Sequence, residues 1–231
     1  MRHKWIIVYC LILSLSFLTA RWASRAVTSF AEAIPIEREV TIVIDPGHGG
    51  VDGGATSCNG ILESKINLEV GLTLRDLFHF LGYKTKMIRT EDISVYREGE
   101  TIAKKKISDL KERVRMVEET ENALLLSIHQ NNFPDGRYSG AQVFYATTEG
   151  SQDLARELQK NFVMILNPGS RRQEKKSSGV YLLEHISCPA VLIECGFLSN
   201  PEEEVKLRSQ AYQQKMCCVI VATVAAKLSN A

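Results

Sequence analysis

No charge of one sign dominates this chain. Its 231 residues carry 28 Lys and Arg against 27 Asp and Glu, a formal net charge of +1, so no global field draws it to nucleic acid or another polyanion. Basic residues do cluster locally, at Lys104-Lys105-Lys106 and at Arg171-Arg172 with Lys175-Lys176, and such runs read as solvated faces or loops. No Cys-x-x-Cys pair occurs, which removes the usual spacing of thiolate zinc sites. No Gly-x-Ser-x-Gly elbow surrounds any serine, which removes the commonest serine-hydrolase arrangement. Internal repeats and low-complexity tracts are also missing. Of the six cysteines, Cys10 lies in an apolar N-terminal stretch. The remaining Cys58, Cys188, Cys195, Cys217 and Cys218 are odd in number, and the adjacent pair points about 100° apart on a helix. Free, mostly buried thiols are therefore expected.

What is present begins with an export signal. Arg2, His3 and Lys4 precede an apolar stretch from Trp5 to Ala20. That run is short for a spanning helix, which needs roughly 20 residues, and long for a signal core of about 7–15. Ser29 and Ala31 offer a cleavage pattern, while Arg21 and Arg25 lie awkwardly before it. Residues 1–31 are read as a signal peptide or a membrane anchor, with cleavage and retention both open. Residues 32–39 are read as a linker and 40–229 as one catalytic domain, long enough for a substantial core.

Within that domain strands alternate with helices. Val40 to Ile44 reads as a buried strand, followed by a helix capped by Ser64 with Ile66, Val70, Leu74, Leu77 and Leu81 on one face and Gly82 as its stop. A short strand at Lys84–Arg89, an exposed loop over 91–104 and a helix from about Lys105 to Glu121 come next, the helix with Ile107, Leu110, Val114 and Val117 at helical spacing. His79, between Phe78 and Phe80, is expected to be a partly buried helix residue. Further strands are read at 124–129, 141–146, 180–183 and 190–193, a helix over 151–166, a loop over 167–178, and a closing helix opened by Asn200-Pro201. This alternation predicts an α/β fold with a mainly parallel sheet, whose ligands gather beyond the carboxyl ends of the strands.

His48, in the turn Asp45-Pro46-Gly47-His48-Gly49-Gly50, His129 and Glu194 all fall at such strand ends. Catalytic zinc takes three protein ligands from His and carboxylate and keeps a fourth position open. His48 and His129 supply two nitrogens. For the third ligand Glu63 is the best candidate, at the entrance of the first helix. Asp45 and Asp52 are rivals, Asp45 being better placed to orient a histidine. Glu194 ends an apolar strand, where partial dehydration raises a carboxylate's pKa and suits it to acid–base work. Cys195 beside it faces the opposite way, into the core. Glu184-His185, at the end of the penultimate strand, is a candidate to face the cleft.

Four stretches carry a family resemblance: Ile44 to Gly50, Leu62 to Leu68, Ser127-Ile128-His129-Gln130-Asn131, and Pro189 to Asn200. In that order they resemble the zinc-dependent N-acetylmuramoyl-L-alanine amidases of bacterial cell walls, over about residues 40–228. The resemblance implies a mixed six-stranded sheet flanked by helices, Zn²⁺ held by His48, Glu63 and His129, and Glu194 as catalytic acid and base. It also implies peptidoglycan as substrate, with room for a glycan strand at the glycines of 47–50 and 53–54; Asn131, within the third stretch, and His185, by its strand-end position, are the candidate substrate contacts. Residues 101–115 look like the corresponding segment of the germination-specific enzymes that act on spore cortex. An exported protein at the membrane, wall or cortex follows, with an accessory activating protein and the membrane as further partners. The alternatives are a zinc exopeptidase acting on peptide stems and a catalytically silent wall-binding protein.

Overall fold

Strands in which both faces are apolar pair in parallel and are covered on both sides, and that pattern runs through the centre of this domain. The computed structural model describes residues 39–229; the expected export segment and nearly all of the linker lie outside the described residues. Six strands, β1 (Thr41–Pro46), β2 (Lys84–Met87), β3 (Ala123–Asn131), β4 (Gln142–Tyr145), β5 (Lys175–Lys176) and β6 (Ala190–Phe197), form one sheet in the order β2-β1-β3-β6-β4-β5. The first four in that order are parallel, and β4 runs antiparallel to β6. The sheet is therefore mixed and mainly parallel, as expected.

Six helices flank it: α1 (Glu63–Phe80), α2 (Ile102–Glu118), α3 (Ser151–Ile165), α4 (Tyr181–Glu184), α5 (Pro201–Leu207) and α6 (Gln210–Ser229). Strand alternation divides the core. Ile42, Ile44, Leu124, Leu126, Val191 and Ile193 pack against α1, α3 and α6, while Val43, Leu125 and Leu192 meet Val117 of α2 and Leu182 and Leu183 of α4. Each fully buried Leu, Ile or Phe contributes roughly 1.5–3 kcal/mol. Asp45, Ser127, His129 and Glu194 continue the second set beyond the apolar part of the sheet, which puts them on the face covered by α2 and α4. Among the described residues no helix is long and apolar enough to cross a membrane.

Several local expectations change. Helix α1 begins at Glu63 without a side-chain cap. The amides of Glu63 and Ser64 are taken by the carbonyls of Ala55 and Gly53, so the preceding loop does the work assigned to Ser64, whose hydroxyl makes no bond. Helix α2 starts at Ile102, capped by the Thr101 side chain accepting from the Lys104 amide. The segment read as a strand over 180–183 is the one-turn helix α4, in which neighbouring Leu182 and Leu183 are both buried; four residues cannot distinguish a period of 2 from one of 3.6. The Lys175-Lys176 run makes a short edge strand beside β4, and the closing helix is broken at Arg208-Ser209 into α5 and α6. Asn200 caps α5 as expected, its Oδ1 accepting from the Glu202 and Glu203 amides. His79 is exposed and reaches the Thr85 hydroxyl, because Phe78 alone of its neighbours turns inward. Cys58, Cys188, Cys195, Cys217 and Cys218 are all free, and Cys195 and Cys217 are buried.

Candidate active site

Three chain segments meet at the carboxyl edge of β1, β3 and β6. β1 ends in the glycine loop carrying His48, the loop returns at 53–55 to open α1 on Glu63, and β3 delivers His129. Their ligand atoms lie within 4.8 Å of one another, a group that could hold a metal ion. Glu63 sits between the two rings. Its Oε2 is 3.3 Å from His48 Nε2 and its Oε1 is 3.0 Å from His129 Nδ1. The same carboxylate accepts from the amides of Ala55 (2.9 Å) and Gln130 (3.1 Å) and from Asn67 Nδ2 (3.2 Å). Burial works against its charge, and the hydrogen bonds and charges of the two histidines outweigh it, holding Glu63 far below the ordinary carboxylate range.

Asp45 and Asp52 take other places. Asp45 is buried, paired with Arg113 and accepting from the Ser127 hydroxyl at 2.7 Å, so it does not orient a histidine as its position in the motif suggested. Asp52 does. Its Oδ2 lies 3.0 Å from His48 Nδ1, while Lys106 Nζ reaches its Oδ1 at 2.8 Å. Burial lowers the affinity of His48 for its proton, but the carboxylates of Glu63 and Asp52 more than reverse this and raise its pKa to about 9.

The glycines serve the ligands themselves. A Cβ at Gly47 would lie 2.2 Å from His129 Nε2, and one at Gly54 would lie 2.7 Å from both Glu63 Oε2 and His48 Cδ2. At these two positions the missing side chain admits the imidazoles and the carboxylate, and Gly47 also lines the cleft. At Gly49 and Gly50 the space a side chain would need is filled by Ile93 and Ser94 of the 91–101 loop. Ser94 Oγ donates to the Gly49 carbonyl, and Asp92 accepts from the Gly50 amide.

Parallel register sets Glu194 directly beside His129. Its Oε2 is buried with no hydrogen-bond partner. Burial, reinforced by the Glu63 charge and opposed by the two histidines, pushes its pKa up to about 7. An orphaned carboxylate oxygen beside two imidazoles and a second carboxylate, with glycine cradles around them, is a donor set that fits a divalent cation with an open position. The cleft above has a volume of about 370 Å³, with Lys106, Leu110 and Arg113 on one wall and Val180, Tyr181 and Leu182 on the other.

The profile of the N-acetylmuramoyl-L-alanine amidases of the Amidase_3 type matches residues 42–226. The chain belongs to this family. It is accordingly a hydrolase of the amide bond joining muramic acid to L-alanine, and it acts outside the cytoplasm as cell wall amidases do. It is 35% identical over 190 residues to a germination-specific N-acetylmuramoyl-L-alanine amidase of Bacillus subtilis, across 81% of this chain and 79% of that one. The structure of the CwlD amidase of Clostridioides difficile, in complex with the GerS lipoprotein, superposes with a TM-score of 0.79 at 34% identity, covering 83% of this chain and 99% of that one. An N-acetylmuramoyl-L-alanine amidase of Clostridium difficile 630 gives 0.72 at 29% identity, over 83% and 98%.

Within this amidase fold the two expected substrate contacts lie apart from the cleft walls. Asn131 ends β3, where its carbonyl accepts from the Leu198 amide. His185 follows α4, not a strand, and is exposed. Its ring stacks on Tyr181 at 3.9 Å between centroids, and its Nδ1 donates to the Tyr181 carbonyl at 2.8 Å. The wall residue is Tyr181. Nothing in the sequence marks it, because Tyr-Leu-Leu-Glu carries no catalytic spacing. Lys106 belongs to a basic run whose sequence alone suggests a solvated face, and only the packing of α2 over the loop reveals its reach to Asp52.

Proposed function

We propose that His48, Glu63 and His129 hold a zinc ion and that Glu194 is the acid–base residue of a peptidoglycan amidase. The observation that carries this reading is the unpartnered, buried Glu194 Oε2 beside the His48–Glu63–His129 group. Asp52 fixes the ring of His48 by binding the nitrogen that faces away from Glu63, the arrangement by which outer carboxylates set the tautomer of a metal-binding histidine. A zinc ion held by His48, Glu63 and His129 would supply Lewis acidity to the lactyl carbonyl and to the attacking water, whose pKa such a site lowers toward about 7. Glu194, with a pKa near 7, accepts the proton of the attacking water and returns it to the departing amine of L-alanine. Tyr181 and Leu110 offer apolar walls to the muramoyl-peptide. Asn131, at the end of β3 outside the cleft walls, would meet only a part of the substrate that extends beyond them, and His185 acts only by supporting Tyr181.

Residues 1–31 direct export, as a cleaved signal or a retained anchor, ahead of the linker at 32–39 and the catalytic domain at 40–229. Because one relative is germination-specific and another is found with a lipoprotein, the proposed setting is spore cortex, with an accessory protein as partner.

Purified chain incubated with intact peptidoglycan, with and without zinc, tests the reading by product masses. The expected products are peptides beginning at L-alanine and glycan freed of stems, dependent on zinc. Cleavage between amino acids would instead identify an exopeptidase, and no cleavage a silent binding protein. Glu194→Gln should keep zinc and lose about 10²–10⁴-fold in rate; full activity with zinc bound would remove Glu194 from its role.

A further inference from the structure

Two arginines lie behind the candidate metal group, and neither touches a ligand side chain. Arg113 and Arg89 are 3% and 2% exposed, a rare state for this residue type. Their guanidinium groups converge on the main chain of the His48 loop. Arg89 Nε donates to the Pro46 carbonyl at 2.8 Å, and its Nη2 to the carbonyls of Gly47 at 3.0 Å and Ser64 at 2.7 Å. Arg113 Nη1 pairs with Asp45 and donates to the Pro46 carbonyl at 3.1 Å. Its Nη2 donates to the carbonyl of His48 itself at 2.7 Å.

This loop needs holding. His48 has φ of 61°, a left-handed conformation that a residue with a side chain adopts at a cost and keeps only where its surroundings over-determine it. The cost is met at the residue whose ring must face Glu63. Arg89 adds a second constraint, because the carbonyls it binds belong to the His48 loop on one side and to the first turn of α1, next to Glu63, on the other. Asp45 extends the same network to β3 through Ser127, two residues before His129.

We infer that Arg89 and Arg113 are positioning residues that clamp the carbonyls of 46–48 and 64 and thereby set the affinity of the site for zinc. The inference rests on the metal-site reading above. The charge alone does not suffice: an ammonium is a point donor and cannot span two or three carbonyls in one plane, as a guanidinium fork does. The motif aspartate, left without a ligand's role, acquires one as the anchor of Arg113.

Arg89→Lys and Arg113→Lys keep the charge and lose the fork. Zinc affinity of the full chain, measured by competition with a chromogenic chelator, should weaken about ten- to a hundredfold in each, with the circular dichroism spectrum unchanged. Arg156→Lys, at a half-exposed pair with Asp153, should leave affinity where it was. Folded clamp variants with wild-type zinc affinity would overturn the inference, even if their thermal midpoints fell, because a purely structural role moves only the latter. If neither variant folds, amide exchange in the metal-free wild type decides. The Gly49 and Asp52 amides, bonded to each other's carbonyls, should be protected without zinc, and exchange at the rate of a free peptide would sink the clamp. A wild-type chain that binds no zinc would overturn the metal site and the clamp together, a result distinct from unchanged affinity in the variants.

Discussion

Gly47→Ala adds one methyl group at the most sensitive point of the site. The new Cβ would lie 2.2, 2.3 and 2.8 Å from Nε2, Cε1 and Cδ2 of His129, where ordinary contact begins near 3.4 Å. The ring must therefore retreat by about 1.2 Å. Gly47 is not among the residues with positive φ, so the substitution carries no penalty of left-handed backbone and its effect is steric. The ring has little room to move, because His129 Nδ1 is held at 3.0 Å from Glu63 Oε1. Metal–ligand distances tolerate only about ±0.2 Å, and a misplacement of about 1 Å costs on the order of 10²-fold in rate. The expected result is loss of bound zinc, measured by elemental analysis after dialysis, and at least about a hundredfold lower release of L-alanine-terminated peptide. Gly60→Ala provides the contrast: nothing lies within 4 Å of its Cβ, but φ is +80°, so it should lower stability by about 1 kcal/mol while zinc content and activity stay near wild type. A Gly47→Ala protein with a full complement of zinc and more than half the wild-type rate would refute the packing argument.

Three other perturbations separate the parts of the site. Glu194 has a folded-state pKa raised to about 7, so the metal-free fold stays protonated there after the unfolded chain has ionised. Its contribution is without penalty below about pH 4.5 and becomes unfavourable as pH rises to about 7, by at most about 3 kcal/mol. Urea midpoints of wild type and Glu194→Gln should accordingly coincide at low pH and diverge in favour of the variant by pH 8; parallel curves would contradict the raised pKa. Asp52→Ala removes the partner of His48 Nδ1 and should weaken zinc binding about 10–100-fold by calorimetry, whereas unchanged affinity would mean that the ring is oriented without it. Asp45→Asn leaves Arg113 buried with Asp109 as its remaining carboxylate, and urea unfolding should report a loss of about 3–5 kcal/mol; a change under 1 kcal/mol would show that Asp109 alone compensates.

The sheet was legible because β1, β3 and β6 are short runs apolar on both faces, which read as buried parallel strands. Alternation also put Cys195 in the core and Glu194 on the opposite face, where the structure has them. Helix α2 was legible as a helix but not in its orientation. Ile107 and Leu110, which looked like its inner stripe, are 55% and 38% exposed, while Arg113 and Val117 are buried. Hydrophobicity reports the buried face only where burial is apolar. A guanidinium paired with Asp45 defeats that signal, and so the loop anchor was not anticipated. Helix α4 failed for a different reason, being too short to express any period.

The grouping of Glu63 with the histidines shows why spacing left three carboxylates in contention and the fold does not. Fifteen residues separate His48 from Glu63 in the sequence, and neither helical nor strand periodicity relates them. Their approach depends on the chain turning back between them. The Thr56–Leu62 bridge and the carbonyls of Gly53 and Ala55 capture the first amides of α1, and Gly54 leaves space between His48 and the carboxylate. Asp45 is closer in sequence but lies on the strand, its side chain drawn to Arg113. Asp52 is nearly as close but meets the nitrogen of His48 that faces away from Glu63. The three acids around this loop thus take distinct places, Asp45 anchoring the loop through Arg113, Asp52 meeting the outer nitrogen of His48, and Glu63 joining the group that could hold a metal ion. The assignment follows from which backbone amides and buried cations each carboxylate can reach, and that information lies in residues far from the motif, chiefly Arg89, Lys106 and Arg113.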